Sequence, residues 1–161
     1  MAIELTLGPL THMQSDALAK RYALDRKVFG CTALIITHHA DDDVTVGTMT
    51  GHDYTLPCLR TRNLMQVDAV FDTVHIHNAH FFNDLKEYVL KQHGRGRNCY
   101  VYAADSDHLQ CKVGQIWDLI PYAHHIAKPL VVCANPQCLQ YATCTMKLGE
   151  RFIAVCHKCL R

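Results

Sequence analysis

The chain has no field of charge of one sign: Lys and Arg total 16 against 15 Asp and Glu, for a formal net charge of +1. That balance gives no support for an electrostatically driven nucleic-acid binder, while leaving room for a local patch. No apolar run approaches the roughly 20 residues that a membrane-spanning helix requires. There is no internal repeat and no low-complexity segment. The opening residues include Glu4 and reach a turn at Gly8-Pro9, which is not the make-up of a secretory signal peptide. An odd cysteine count without such a segment points to a soluble, intracellular and mostly reduced protein.

What is present suffices for one real core. The 161 residues are 49% apolar and 19% charged, which excludes a disordered chain and leaves little room for a second full core. Ile3 to Leu7 reads as a short buried strand ended by Gly8-Pro9. Ser15 or Asp16 is positioned to cap a helix through Ala17, Leu18, Tyr22 and Ala23, with Gly30 as its stop. Cys31 to Ile36 is a continuous apolar run, as in a strand of a parallel sheet buried on both faces. The stretch from His38 to Tyr54 is polar, with a turn at Asp41-Asp42-Asp43. A short helix or connection follows at Leu64 to Val70.

Thr73 to His77 is then a strand, Phe82 to Gln92 a helix stopped by Gly94, and Cys99 to Ala103 a strand. Ile116 to Ile126 is helical but divided by Pro121. This alternation predicts an α/β fold built on a mostly parallel sheet. The expected division is a core over residues 1–129 and a small metal-binding subdomain over 130–161.

Nine cysteines and twelve histidines are the departures from average composition. Cys133 and Cys138 form C-x4-C, and Cys156 and Cys159 form C-x2-C, separated by the seventeen residues Leu139 to Val155. Two thiol knuckles suit a tetrahedral structural zinc ion with no open position, so this site should hold shape and carry out no hydrolysis. Cys144 or His157 is the alternative fourth ligand, and buried free thiols are the plain reading. Cys31, Cys58, Cys99 and Cys111 read as packing residues. His75 and His77 share one strand face. His77, His80, His12 and Asp105 are open to three readings: polar packing, a ligand pocket, or a transition-metal site. His38-His39 reads as part of a solvated loop. Two arginines at Arg95 and Arg97 are too few for an RNA site.

Five blocks, taken in order, resemble the zinc-containing, P-loop type of thymidine kinase. They are residues 3–10, Gly51-His52-Asp53, Val74 to Phe82, Ala103 to Pro121, and the cysteine pairs, so the likeness runs over nearly the whole chain. The resemblance implies a P-loop α/β core, a zinc-braced lasso over the nucleoside, frequent tetramers, and transfer of the γ-phosphate of ATP to thymidine.

Position by position, the chemistry implied by that resemblance is missing. After Gly8, Met13 stands where the family has glycine and Gln14 where it has the phosphate-binding lysine, while Ser15 keeps a hydroxyl. The family's magnesium-site aspartate and catalytic glutamate fall at His77 and Asn78, and its glutamine at His80. Asp105 is retained. His108 and Gln110 replace an aromatic and an arginine, and little of the lasso remains. A hard cation prefers oxygen ligands, an amide cannot act as base, and a missing lysine removes charge from the transition state.

The expectation is therefore a degenerate nucleotide pocket of Gly8, Gln14, Ser15, His77, Asn78, His80 and Asp105. No residue in it is catalytic, and no binding of ATP and Mg2+ is expected. A non-catalytic protein that engages a protein partner or its own copies follows. A residual nucleoside kinase and a small-ligand sensor are the alternatives.

Overall fold

Strands β1 (Ile3–Gly8) and β6 (Asn98–Ala104) lie side by side in the middle of the protein and are buried on both faces, as their unbroken apolar character requires. The computed structural model describes every residue except His12, Asp42, His52 and Arg161. The expected turn at 41–43 and the His52-Asp53 element therefore fall partly outside the described residues.

The remaining elements of the sheet are β2 (Ala33–His38), β3 (Thr45–Thr50), β4 (Thr55–Thr61), β5 (Thr73–His77) and β7 (His125–Ala127). Their order is β3-β4-β2-β5-β6-β1-β7, parallel throughout except for β3 against β4. Helices α1 (Met13–Lys27), α2 (Leu85–Gly94) and α3 (Ile116–Leu119) complete the α/β architecture. Among the described residues no helix is long and apolar enough to cross a membrane.

Alternation along each strand divides the core into two faces. Val74 and Ile76 of β5, with Cys99, Val101 and Ala103 of β6, pack against Leu85, Tyr88 and Val89 of α2 and against Ile116 and Leu119 of α3. Tyr100 and Tyr102 on the opposite face meet Leu18 and Tyr22 of α1. His75 shares that second face and is fully buried. Its ring stacks on Tyr100 and takes the edge of Tyr22. Its Nδ1 lies 3.3 Å from the Tyr102 hydroxyl. Its Nε2 lies 3.0 Å from Asp25 Oδ2, though off the line of a good hydrogen bond. The second oxygen of Asp25 accepts from Arg21 Nε at 3.2 Å.

Several boundaries differ from the sequence reading. The segment read as polar loop contains β3 and contributes, with β4, an antiparallel hairpin. Its threonine-rich β3 sits at the sheet edge and is exposed on most positions, so it never shows an apolar run. Gly47 is required there because a Cβ would lie 2.7 Å from Arg60 Nε. Helix α1 begins at Met13, whose amide meets Thr11 Oγ1, so Ser15 and Asp16 lie in its first turn and do not cap it. Helix α3 stops at Leu119, and Pro121 sits in the 3-10 turn that follows. Cys99 is buried as expected, whereas Cys31 precedes β2 and is partly exposed.

Beyond β7 come two small antiparallel pairs. Strand β8 (Val131–Val132) pairs with β9 (Tyr141–Ala142), and β10 (Cys144–Leu148) pairs with β11 (Arg151–Val155). The hairpin between β10 and β11 turns at Gly149, whose φ is 60°.

Candidate functional site

The C-terminal ends of β1, β5 and β6 converge on the start of α1, where a parallel α/β sheet normally receives a ligand. His77 is the last residue of β5 and turns toward α1. Its Nε2 lies 2.9 Å from Ser15 Oγ and its Nδ1 3.2 Å from Thr37 Oγ1 on the neighbouring strand. Burial pushes the imidazole down to about 4, so it is neutral, and each of its nitrogens is already engaged. Asn78 follows in the left-handed region at φ 52° and ψ 40°, a conformation that asparagine tolerates better than most residues.

Gln14 is 4% exposed and points inward. Its amide nitrogen donates to Gly8 O at 3.1 Å and to Ala103 O at 2.8 Å, bracing the loop against β1 and β6. His80 is also buried, and its Nδ1 accepts from Ala104 N at 3.1 Å. The proton is then on Nε2, which has no hydrogen-bond partner among the described residues. Burial, with smaller contributions from His77 and His38, lowers this imidazole to about 4. Gly114, at φ 54°, packs on the His80 carbonyl where any Cβ would collide. Asp105 is held by Lys128 Nζ at 2.6 Å and by Ser106 Oγ at 3.2 Å.

Of the sequence-derived pocket residues, Gln14, Ser15, His77 and Asn78 line one open cleft of about 550 Å3, together with Leu10, Val132 and Phe152. Gly8 serves through its carbonyl, while His80 and Asp105 lie behind the cleft wall and support β6 and the loop after it. No carboxylate, lysine or arginine lines the cleft among the described residues. Asp53 instead borders a separate cleft of about 640 Å3 with Asp16, Lys20 and Tyr54.

Cys133, Cys138, Cys156 and Cys159 bring their sulfurs within 4.8 Å of one another. Tetrahedral Zn–S bonds near 2.3 Å separate the sulfurs by about 3.8 Å, so the set fits one zinc ion with little adjustment. Backbone Cys156 N approaches Cys133 Sγ at 3.3 Å, and Asn135 Nδ2 approaches Cys159 Sγ at 3.4 Å; both favour thiolate ligands. Among the described residues this is the one cluster of three or more such side chains within reach of a single ion. His77, His80 and Asp105 do not form a second, and His12 lies outside the described residues.

Sequence reasoning missed Thr37, Lys128 and Thr145. Thr145, fully buried on β10, accepts from Leu10 N through its hydroxyl at 3.0 Å, and its carbonyl accepts from Gln110 Nε2 at 3.0 Å. It ties the cysteine lobe to the loop after β1. The only available clue was that a small polar residue stands next to Cys144 inside a hairpin.

The two depressed histidines imply an acid sensitivity. A free imidazole titrates near 6.5, so between about pH 6.5 and 4 the unfolded chain binds protons that His77 and His80 refuse. Stability therefore falls as pH drops through that window, by an upper bound of roughly 3 kcal/mol per histidine. Thermal melts from pH 7 to pH 4.5 should show a steep loss, and His77→Gln with His80→Gln should flatten it. An unchanged slope in the double variant would refute the assignment.

The sequence model for thymidine kinase matches residues 1–160. The thymidine kinase of Yaba monkey tumor virus is 28% identical over 137 residues, covering 81% of this chain and 74% of that protein. The cytosolic thymidine kinase of Cricetulus griseus is 24% identical over 172 residues, covering 98% of this chain and 72% of its own length. The thymidine kinase of variola virus is 24% identical over 171 residues, covering 98% and 95%. With a match running from the first strand past the last cysteine, this chain belongs to the thymidine kinase family.

Proposed function

We propose that this chain keeps the family's scaffold, stabilised by one zinc ion on its four cysteines, and acts as a non-catalytic interaction or assembly component. The observation that carries this reading is the internal satisfaction of the site. Gln14 spends its amide on two main-chain carbonyls, and His77 spends both nitrogens on Ser15 and Thr37. Phosphoryl transfer depends on a cation at the β/γ-phosphates, oxygen ligands for magnesium, and a group that orients or deprotonates the nucleophile. The cleft supplies none of the three. Asn78 at the expected base position cannot accept a proton.

A second reading, a small-ligand sensor, is favoured by the same cleft of about 550 Å3, which is open, partly apolar and free of formal charge. It would take an uncharged molecule more readily than a nucleotide.

Native mass spectrometry of the zinc-loaded chain, titrated with Mg-ATP and thymidine, tests the proposal. One zinc per chain, no nucleotide adduct, and no phosphate transfer above the buffer rate are expected, and the measured mass gives the assembly state. Gln14→Lys with His77→Asp, which returns the ammonium and the carboxylate, should gain detectable ATP binding in the same assay. Saturable ATP binding with turnover by the unaltered chain would overturn the reading.

A further inference from the structure

Helix α1 buries Gln14, Leu18, Tyr22 and Asp25 against the sheet, which turns its acidic Asp25 inward. Its outer face carries Lys20, Ala23, Leu24, Lys27 and Val28, which line an almost wholly apolar groove of about 410 Å3. Leu24 is 46% exposed, Val28 65%, and the adjoining Phe29 62%. These side chains do not belong to a frayed end. The amides of Val28 and Phe29 both donate to the Leu24 carbonyl, at 2.9 and 3.2 Å, and Cys31 N returns to Asp25 O at 2.9 Å. An ordered helix terminus therefore presents a Leu24/Val28 stripe, spaced i,i+4, toward solvent.

Favourable placement of Lys27 near the helix C-terminus would account for that one charge, but not for three exposed apolar side chains beside it. The charges also select the occupant. In a symmetric antiparallel contact centred on Leu24, Lys20 of one copy would face Lys27 of the other at both ends, so like charges would ring the contact. No acidic side chain lines the groove to relieve that repulsion.

We propose that the outer face of α1 docks an acidic amphipathic helix of another protein, with its apolar stripe on Leu24 and Val28 and its carboxylates against Lys20 and Lys27. This site rests on the interaction role proposed above and names the partner's chemistry. The two fail separately, because the nucleotide titration does not read this face.

The probe is a fluorescein-labelled helical peptide with leucines at i, i+3, i+4 and i+7 and glutamates on the flanks, beside a counterpart with lysines in place of glutamates. Anisotropy should give saturable binding of the acidic peptide on the order of micromolar, and none of the basic one. Affinity should fall about tenfold with Leu24→Glu, with Lys20→Glu plus Lys27→Glu, and between low and high salt. Unchanged melting temperatures would show that these exposed substitutions leave the fold intact. Absence of binding, equal binding of both peptides, or indifference to the substitutions would overturn the proposal. So would sedimentation showing a dimer that Leu24→Glu dissociates, since the occupant would then be a second copy.

Discussion

Removing the metal from the four-cysteine lobe, or replacing Cys156 by serine, should unravel residues from about Val131 onward and release the loop after β1, while the seven-stranded sheet remains folded. The lobe has little of its own to hold it. Its buried cluster consists of Cys133, Cys144, Val155 and Cys156, and its strands are two to five residues long. A unit of that size lacks the apolar core to offset its chain entropy, so a structural zinc, worth on the order of 10 kcal/mol in small metal-folded domains, would supply most of its stability.

The release should travel to the cleft through Thr145. When β10 loosens, the Leu10 amide loses its acceptor and Gln110 loses the Thr145 carbonyl. Hydrogen exchange at Leu10 should therefore accelerate when a chelator is added, together with exchange across β10 and β11. At full metal loading, Thr145→Val should accelerate Leu10 alone, and Thr145→Ser should restore protection because it keeps the hydroxyl. Slow exchange at Leu10 in the metal-free chain would mean that the lobe and the loop are independent.

The parts most legible in the sequence were those fixed by local chemistry. Thr73 to His77 was readable as a strand to the residue, because its β-branched residues are bounded on both sides. The cysteine frame was readable because soft-ligand spacing is short-range. The β3–β4 hairpin was not, since an edge pair rich in threonine is stabilised by partners rather than by an apolar run.

At the site, the sequence revealed what Gln14 removes but not what it adds. Its amide bonds the Ala103 carbonyl, 89 residues away, and that meeting depends on β1 and β6 being neighbours. His80 and Asp105 were grouped with the pocket from their place in the family pattern. The fold instead turns one to the Ala104 amide and the other to Lys128. His75 was readable as sharing a face with His77, but its partner Asp25 depends on how α1 is rotated against the sheet.

That last pairing predicts a large stability effect with a distinctive signature. Burial holds the His75 imidazole below its ordinary value against the opposing pull of Asp25, so the ring is predominantly neutral while the carboxylate is balanced by Arg21. His75→Leu alone leaves a buried carboxylate without its neighbour and the Tyr102 hydroxyl without an acceptor. Asp25→Leu alone strands both His75 and Arg21. Each single change should cost about 3–5 kcal/mol in urea unfolding, the usual consequence of removing one member of a buried polar pair. The double variant should be more stable than the sum of the two losses by at least about 1.5 kcal/mol, because two leucines leave nothing buried to satisfy at that point. Arg21 would retain Tyr100 and Glu4. Strict additivity would mean that the two residues support the fold separately. A positive coupling would identify the pair as the contact that sets the rotation of α1, bringing Ser15 to His77 at one end of the helix and turning Leu24 outward at the other.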